Sequence, residues 1–109
     1  MTLNRVHDTV LIHEGEESLK LTVNGDSMRM VAGLNKAQQK MQGIKDDSPD
    51  EEVKEVAEYF AAVIFGKEQA EKLMHFYADD PSCVIAVCGQ YFKDRLAHKI
   101  AKIQKKMKV

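Results

Sequence analysis

A chain of 109 residues, 44% apolar and 30% charged, with a formal net charge of −1, has the size of one domain and enough apolar material for a core. This composition excludes disorder, collagen-like repeats and a disulfide scaffold. The near-zero charge gives no global attraction to nucleic acid or anionic lipid. No run reaches the roughly 20 apolar residues of a membrane helix, and residues 1–8 lack the apolar run of a signal peptide. The chain is therefore expected in the cytoplasm, with reduced thiols and no membrane partner.

The first 25 residues predict a β-hairpin. Val10, Leu11 and Ile12 lie in a short strand over 9–13. Leu19, Leu21 and Val23 alternate with Lys20 and Thr22, the period of a half-buried strand. Residues 14–18 join the two, with Gly15 free to take positive φ, and Asn24-Gly25 marks a second turn. A lone hairpin is marginal in water, so its Leu19/Leu21/Val23 face must pack on helices or join another chain's sheet. Its small apolar content predicts a hairpin separable from the helical core.

Asp26 and Ser27 can cap a helix over 27–43. Its mixed apolar stripe is Met28, Val31, Leu34, Gln38, Met41 and Ile44, weakened by Gly33 and Gly43. Met28, Met30 and Met41 suit either adaptable partner contacts or ordinary core filling. Residues 45–50 form a linker whose end starts the next helix, with Ser48, Pro49 and Glu51 reading as cap, first helical residue and capping box. Val53, Val56, Ala57, Phe60, Val63 and Ile64 make one face, and Gly66 stops the helix. A third helix spans 67–79 with Ala70, Leu73, Met74 and Tyr77 inward. Asp80 and Pro81 then start a last helix over 82–106. Its apolar residues run from Val84 through Tyr91 and Leu96 to Ile103, and its first half, apolar nearly all round, is expected at the centre of the core. The fold class is thus α+β and predominantly α-helical, an N-terminal β-hairpin (1–25) followed by about four helices (26–109) in a single domain.

No catalytic pattern emerges. The serines occupy turns and caps, the acids occupy solvated caps, and no phosphate-cradling glycine loop is present. Cys83 and Cys88, five residues apart on a helix, point about 140° apart and read as core residues. The four histidines lack ligand spacing; His75 is expected at a core edge and His7, His13 and His98 at the surface. The chain is accordingly expected to be no enzyme and to need no cofactor or metal.

Charge is divided along the chain. Residues 93–109 carry seven Lys/Arg and one acid, Asp94, while residues 1–92 carry nine Lys/Arg and sixteen acids. Seven of those acids fall between Asp46 and Glu58, where they also suit a helix N-terminus. Candidate partner-binding residues are therefore the acids Glu51, Glu52 and Glu55, the lysines Lys99, Lys102, Lys105 and Lys106, and the methionines Met28, Met30 and Met41. The acidic stretch and basic tail could mate head to tail in a weak homo-oligomer. The basic helix has no aromatic interleaving or glycine clamp, which argues against nucleic acid.

The order of helix, Phe65-Gly-Lys-Glu-Gln-Ala-Glu-Lys-Leu73, Phe76-Tyr77, Asp80-Pro81 and a long lysine-ending helix resembles the tail assembly chaperones of long-tailed bacteriophages and prophages. The resemblance covers about residues 50–109, with a hairpin and helix before them in similar order. It implies a small cytoplasmic protein of the bacterial host that holds the tape measure protein while tail-tube subunits polymerise around it, with no catalytic residues. It also implies that a frameshifted long form can extend the C-terminus; residues 99–109 are then expected to be exposed, with few apolar contacts after Ile103. The alternative is a small prophage regulatory or nucleic-acid-associated protein using the basic last helix.

Overall fold

The computed structural model describes residues 5–107. Two antiparallel strands, β1 (Arg5–Glu14) and β2 (Glu17–Asp26), precede α1 (Ser27–Gln42), α2 (Asp50–Phe65), α3 (Lys67–Phe76) and a long last helix. That helix consists of α4 (Pro81–Tyr91), a π-helical turn (Phe92–Leu96) and α5 (Ala97–Met107). The architecture is α+β and mostly helical, with the hairpin first and four helices after it.

The strands are longer than their apolar runs. Glu14 pairs with Glu17 and Arg5 with Asp26, so the turn has two residues, and Gly15 at its first position has φ 63°. A turn of this length suits the twist of the strands when its first central residue takes positive φ. Alternation puts Val6, Val10, Ile12, Leu21 and Val23 in the core. Leu21 is 0% and Val23 1% exposed. The hairpin therefore adds five buried apolar residues to the core, three of them from β1, so its apolar content is larger than expected, because the strand begins at Arg5 rather than Thr9.

α2 holds the centre of the molecule, packing against α1, α3, α4 and β2. Val56, Ala57, Phe60, Ala61, Ile64 and Phe65 are buried along it. The first half of the last helix, expected at the centre, buries only Val84, Cys88 and Tyr91, because the layer beyond it is solvent. α2 also starts one residue later than the capping-box pattern suggests. Pro49 is its N-cap with ψ 146° and no side-chain cap forms. The Ser48 hydroxyl instead accepts from the Lys45 N–H at 2.7 Å. Asp26 and Asp80 do cap α1 and α4, accepting from Met28 N at 2.9 Å and Ser82 N at 3.0 Å. Gly66 (φ 89°) stops α2, and α3 stops three residues before Asp79, where Ala78 and Asp79 take positive φ.

The face of α1 is rotated from the expected stripe. Ser27, Met30 and Ala37 are buried, Val31, Leu34 and Met41 are packed against the core, and Met28 and Gln38 are exposed. Close approach to α2 sets this register. A Cβ on Gly33 would stand 2.8 and 2.9 Å from the two Val63 methyls, so only glycine lets the helices meet there.

The π turn keeps the last helix in register. Buried Val84, Cys88 and Tyr91 follow α-helical spacing, and the next buried residue is Leu96, five on, followed by Ile100. One extra residue in the turn, marked by Ala97 N–H bonding to the Phe92 carbonyl, returns Leu96 and Ile100 to the core side. It also leaves Arg95 about half exposed and within reach of Asp8.

Candidate partner-binding surface

The inward face of β1 carries one acid among its apolar residues. Asp8, whose side chain is 8% exposed, sits between Val6 and Val10. Its carboxylate accepts from the Tyr91 hydroxyl at 2.8 Å, from the Thr9 N–H at 2.9 Å, and from the Arg95 guanidinium, with which it forms an ion pair. Arg95 also donates to the Thr9 carbonyl at 3.3 Å. Burial, then the Asp8 hydrogen bond, pushes the Tyr91 hydroxyl well above its usual range, against the opposing effect of Arg95. The protonated phenol is thus fixed as a donor. This clasp joins the hairpin to the end of α4 and the π turn, from which α5 continues.

α5 leaves α4 so that it and α1 form an open apolar groove of about 160 Å³. Val31 and Leu34 line one wall; Phe92, Ala97, Ile100 and Ala101 line the other. Met28, 61% exposed, precedes Val31 by three residues and Asn35 by seven, on the same side of α1. Exposed Lys93 follows Phe92 of that wall, and exposed Lys105 stands four residues after Ala101, one turn beyond that end.

The structure separates the predicted partner-binding residues. Met28 is exposed, Met41 is half-buried against the core, and Met30 is 4% exposed inside it. Met30 therefore fills core space, its terminal methyl 2.7 Å from where a Cβ on Gly25 would stand. Met74 is buried in the same way. Glu51 lines an open cleft with Asp46, Asp50, Lys54, Asp79 and Asp80, where the starts of α2 and α4 meet. Glu52 is exposed beside it; Glu55 lies one turn along α2, near Glu58 and Lys67. Lys99 and Lys102 face Arg5 and His7 across a groove between α5 and β1. Lys105 is exposed, and the Lys106 side chain lies outside the described residues.

The acidic and basic groups occupy opposite ends of the molecule. At 1.5 Å per residue, Lys99 lies about 27 Å and Lys105 about 36 Å from Pro81 along the last helix, and Pro81 lines the acidic cleft. The expected exposure of residues 99–109 holds for Ala101, Lys102, Gln104 and Lys105. It fails at Ile100, 6% exposed, and at half-buried Lys99 and Ile103, because the α5 face is tied to the core. Residues 108–109 lie outside the described residues.

Cys88 is a core residue, its thiol pushed up to about 12 by burial. Cys83, expected there too, is only half-buried, and its thiol lies 3.5 Å from Asp80 Oδ2, because the 140° between the two cysteines takes it to the helix flank. His75, expected at a core edge, is exposed like the other three histidines. Among the described residues no helix is long and apolar enough to cross a membrane.

Sequence reasoning missed Asp8 and Arg95. An acid in the inward phase of the alternation Val6, Asp8, Val10, Ile12 was the signal for the first. The five-residue step from Tyr91 to Leu96 was the signal for the second. Compared with family models, curated proteins and solved structures, the chain matches none of them.

Proposed function

We propose that this chain is a non-enzymatic holder of a helical client, acting as the tail assembly chaperones it resembles act on the tape measure protein of a bacteriophage or prophage. The observation that carries the reading is the α1/α5 groove. Its apolar walls and small Ala97 and Ala101 admit a helix closely, and exposed Met28 extends the apolar edge with an adaptable side chain. Lys93 and Lys105 at its ends favour a client helix with acidic flanks. The host cytoplasm and tail-tube subunits enter the proposal through the resemblance.

The reading expects a tail-tube gene upstream of this chain's gene and a very long reading frame downstream. Helical segments of that long product are the probes. Calorimetric titration should show binding that falls at least about tenfold for Ala101→Arg, with thermal unfolding unchanged. Equal affinity of the native chain and the variant refutes the groove as the site. No binding of any segment refutes the function.

A second reading rests on Arg5, His7, Lys99 and Lys102 lining one groove: a nucleic-acid contact through the basic last helix. It predicts duplex DNA affinity that falls steeply with salt. Binding unaffected by Lys99→Glu/Lys102→Glu would refute it.

A further inference from the structure

A cleft of about 490 Å³ opens where the end of the hairpin, the start of α1 and the end of α2 converge. It shares no residue with the α1/α5 groove, and its volume falls within the roughly 300–1,000 Å³ of small-molecule sites. Three of the chain's six glycines line it, Gly25, Gly33 and Gly66. A Cβ at Gly25 or Gly33 would collide with Met30 or Val63, and the φ of 89° at Gly66 disfavours any side chain. The walls are therefore bare backbone, over a floor of Met30, Val63 and Phe65. Two cations line the same cleft. Arg5 is held by Asn24: its Nε and Nη2 donate to Oδ1 at 3.1 and 2.8 Å, and Nη2 also to the Asn24 carbonyl at 3.3 Å. Among the described residues its Nη1 has no acceptor, and Arg29 forms no hydrogen bond or ion pair. The one acid in the lining, Asp26, is engaged as the cap of α1. The lining thus sets two guanidiniums against one carboxylate, a net charge of +1.

We propose that this cleft binds a small carboxylate with an apolar body, of the class of a medium-chain alkanoate. A monoanion neutralises the net charge of the lining. A phosphate monoester, with about −1.5 to −2 at pH 7, would leave excess negative charge beside Asp26. The planar fork of a guanidinium matches a carboxylate, and the donors left to serve it are Nη1 of Arg5 and those of Arg29. Asn24 fixes Arg5 in place, so one donor is set before the ligand arrives. Arg29 is exposed, and its long stem lets its head follow the anion. The body of the ligand would cover Met30, Val63 and Phe65 and remove their open edges from water. Bare backbone at the three glycines lets that body lie close to the walls. Head and body are both required. A surface ion pair alone is worth little, and the floor is too small to hold an uncharged chain. The inference does not depend on the client-holding reading, because the two sites have no residue in common.

The test is a titration of the isotopically labelled full chain with octanoate, read at its six glycine amides. Gly25, Gly33 and Gly66 should shift, while Gly15, Gly43 and Gly89, outside the cleft, serve as controls in the same spectrum. Acetate, which is a head without a body, and octanol, a body without the charge, should each bind at least about tenfold more weakly than octanoate. Octyl phosphate should bind no more tightly than octanoate. Arg29→Met, at an exposed position, should leave thermal unfolding unchanged and weaken octanoate at least about tenfold. The absence of any shift up to about 10 mM octanoate overturns the proposal. So does equal affinity for octanol, tighter binding of octyl phosphate, full affinity in Arg29→Met, or a shift centred on the control glycines or on Ala97 and Ala101.

Discussion

Replacing Asp8 by alanine tests the clasp that joins the hairpin to the last helix. The change removes the acceptor of the Tyr91 hydroxyl on a residue 5% exposed, and a buried donor without a partner costs about 1–3 kcal/mol. Arg95 is 48% exposed at its side chain and can hydrate in place of the pair, so its share is at most about 1 kcal/mol. Together the loss is about 1–4 kcal/mol, or a Tm lower by roughly 5–25 °C for a domain of this size. Asp8→Asn retains an acceptor and should lose about 1 kcal/mol. Tyr91→Phe removes the donor that Asp8→Ala strands, so chemical denaturation of both single variants and the double should reveal coupling of about 1–2 kcal/mol. Folded Tyr91 ionises above its ordinary value of 10.0. Its contribution is therefore complete below about pH 10 and is withdrawn as pH rises through the folded value; Tyr91→Phe should flatten that alkaline loss. Stability of Asp8→Ala within about 0.5 kcal/mol of the native chain, or strictly additive variants, would refute the reasoning.

Three further outcomes follow from packing and burial. Leu21→Ala, at a position 0% exposed, should cost about 2–5 kcal/mol in a single cooperative denaturation, whereas a separable hairpin would show a small loss or a separate transition. Gly33→Ala should destabilise by about 1–3 kcal/mol because the new methyl meets both Val63 methyls, and Gly89→Ala, with open space around its Cβ, should stabilise by about 0.4–1 kcal/mol; equal effects would contradict the packing account. Cys88 ionises near 12 when folded, against 9.0 ordinarily, so its neutral-form advantage is complete below pH 9 and disappears as pH rises toward 12. Alkaline unfolding of Cys88→Ala should accordingly be less steep between those limits, and an unchanged slope would count against burial of the thiol.

Local signals with one physical meaning were readable in the sequence. Leu19, Leu21 and Val23 marked a strand facing a core, Gly66 marked a helix end that needs positive φ, and Asp80-Pro81 marked a capped start. Signals that depend on distant parts of the chain were not. The face of α1 turns on Gly33 meeting Val63, a contact between helices. Ser48 had two local partners, and the Lys45 N–H took its hydroxyl once Pro49 became the cap. The candidate groove was only half legible. Met28, Val31 and Leu34 stood in the expected stripe, but its other wall depends on the extra residue of the π turn, which aims Ala97 and Ala101 toward α1. The acidic and basic segments were plain in the charge pattern; their separation along the last helix required the fold.

The client-holding account is tested most directly by an amide chemical-shift map. A labelled sample of this chain is titrated with helical segments of the long downstream product at low and high salt. The account predicts that shifts concentrate at Met28, Val31, Leu34, Ala97 and Ala101, and that affinity weakens as salt screens Lys93 and Lys105. Shifts confined to the acidic cleft around Glu51 and Asp80, with the α1 and α5 residues unmoved, would contradict it.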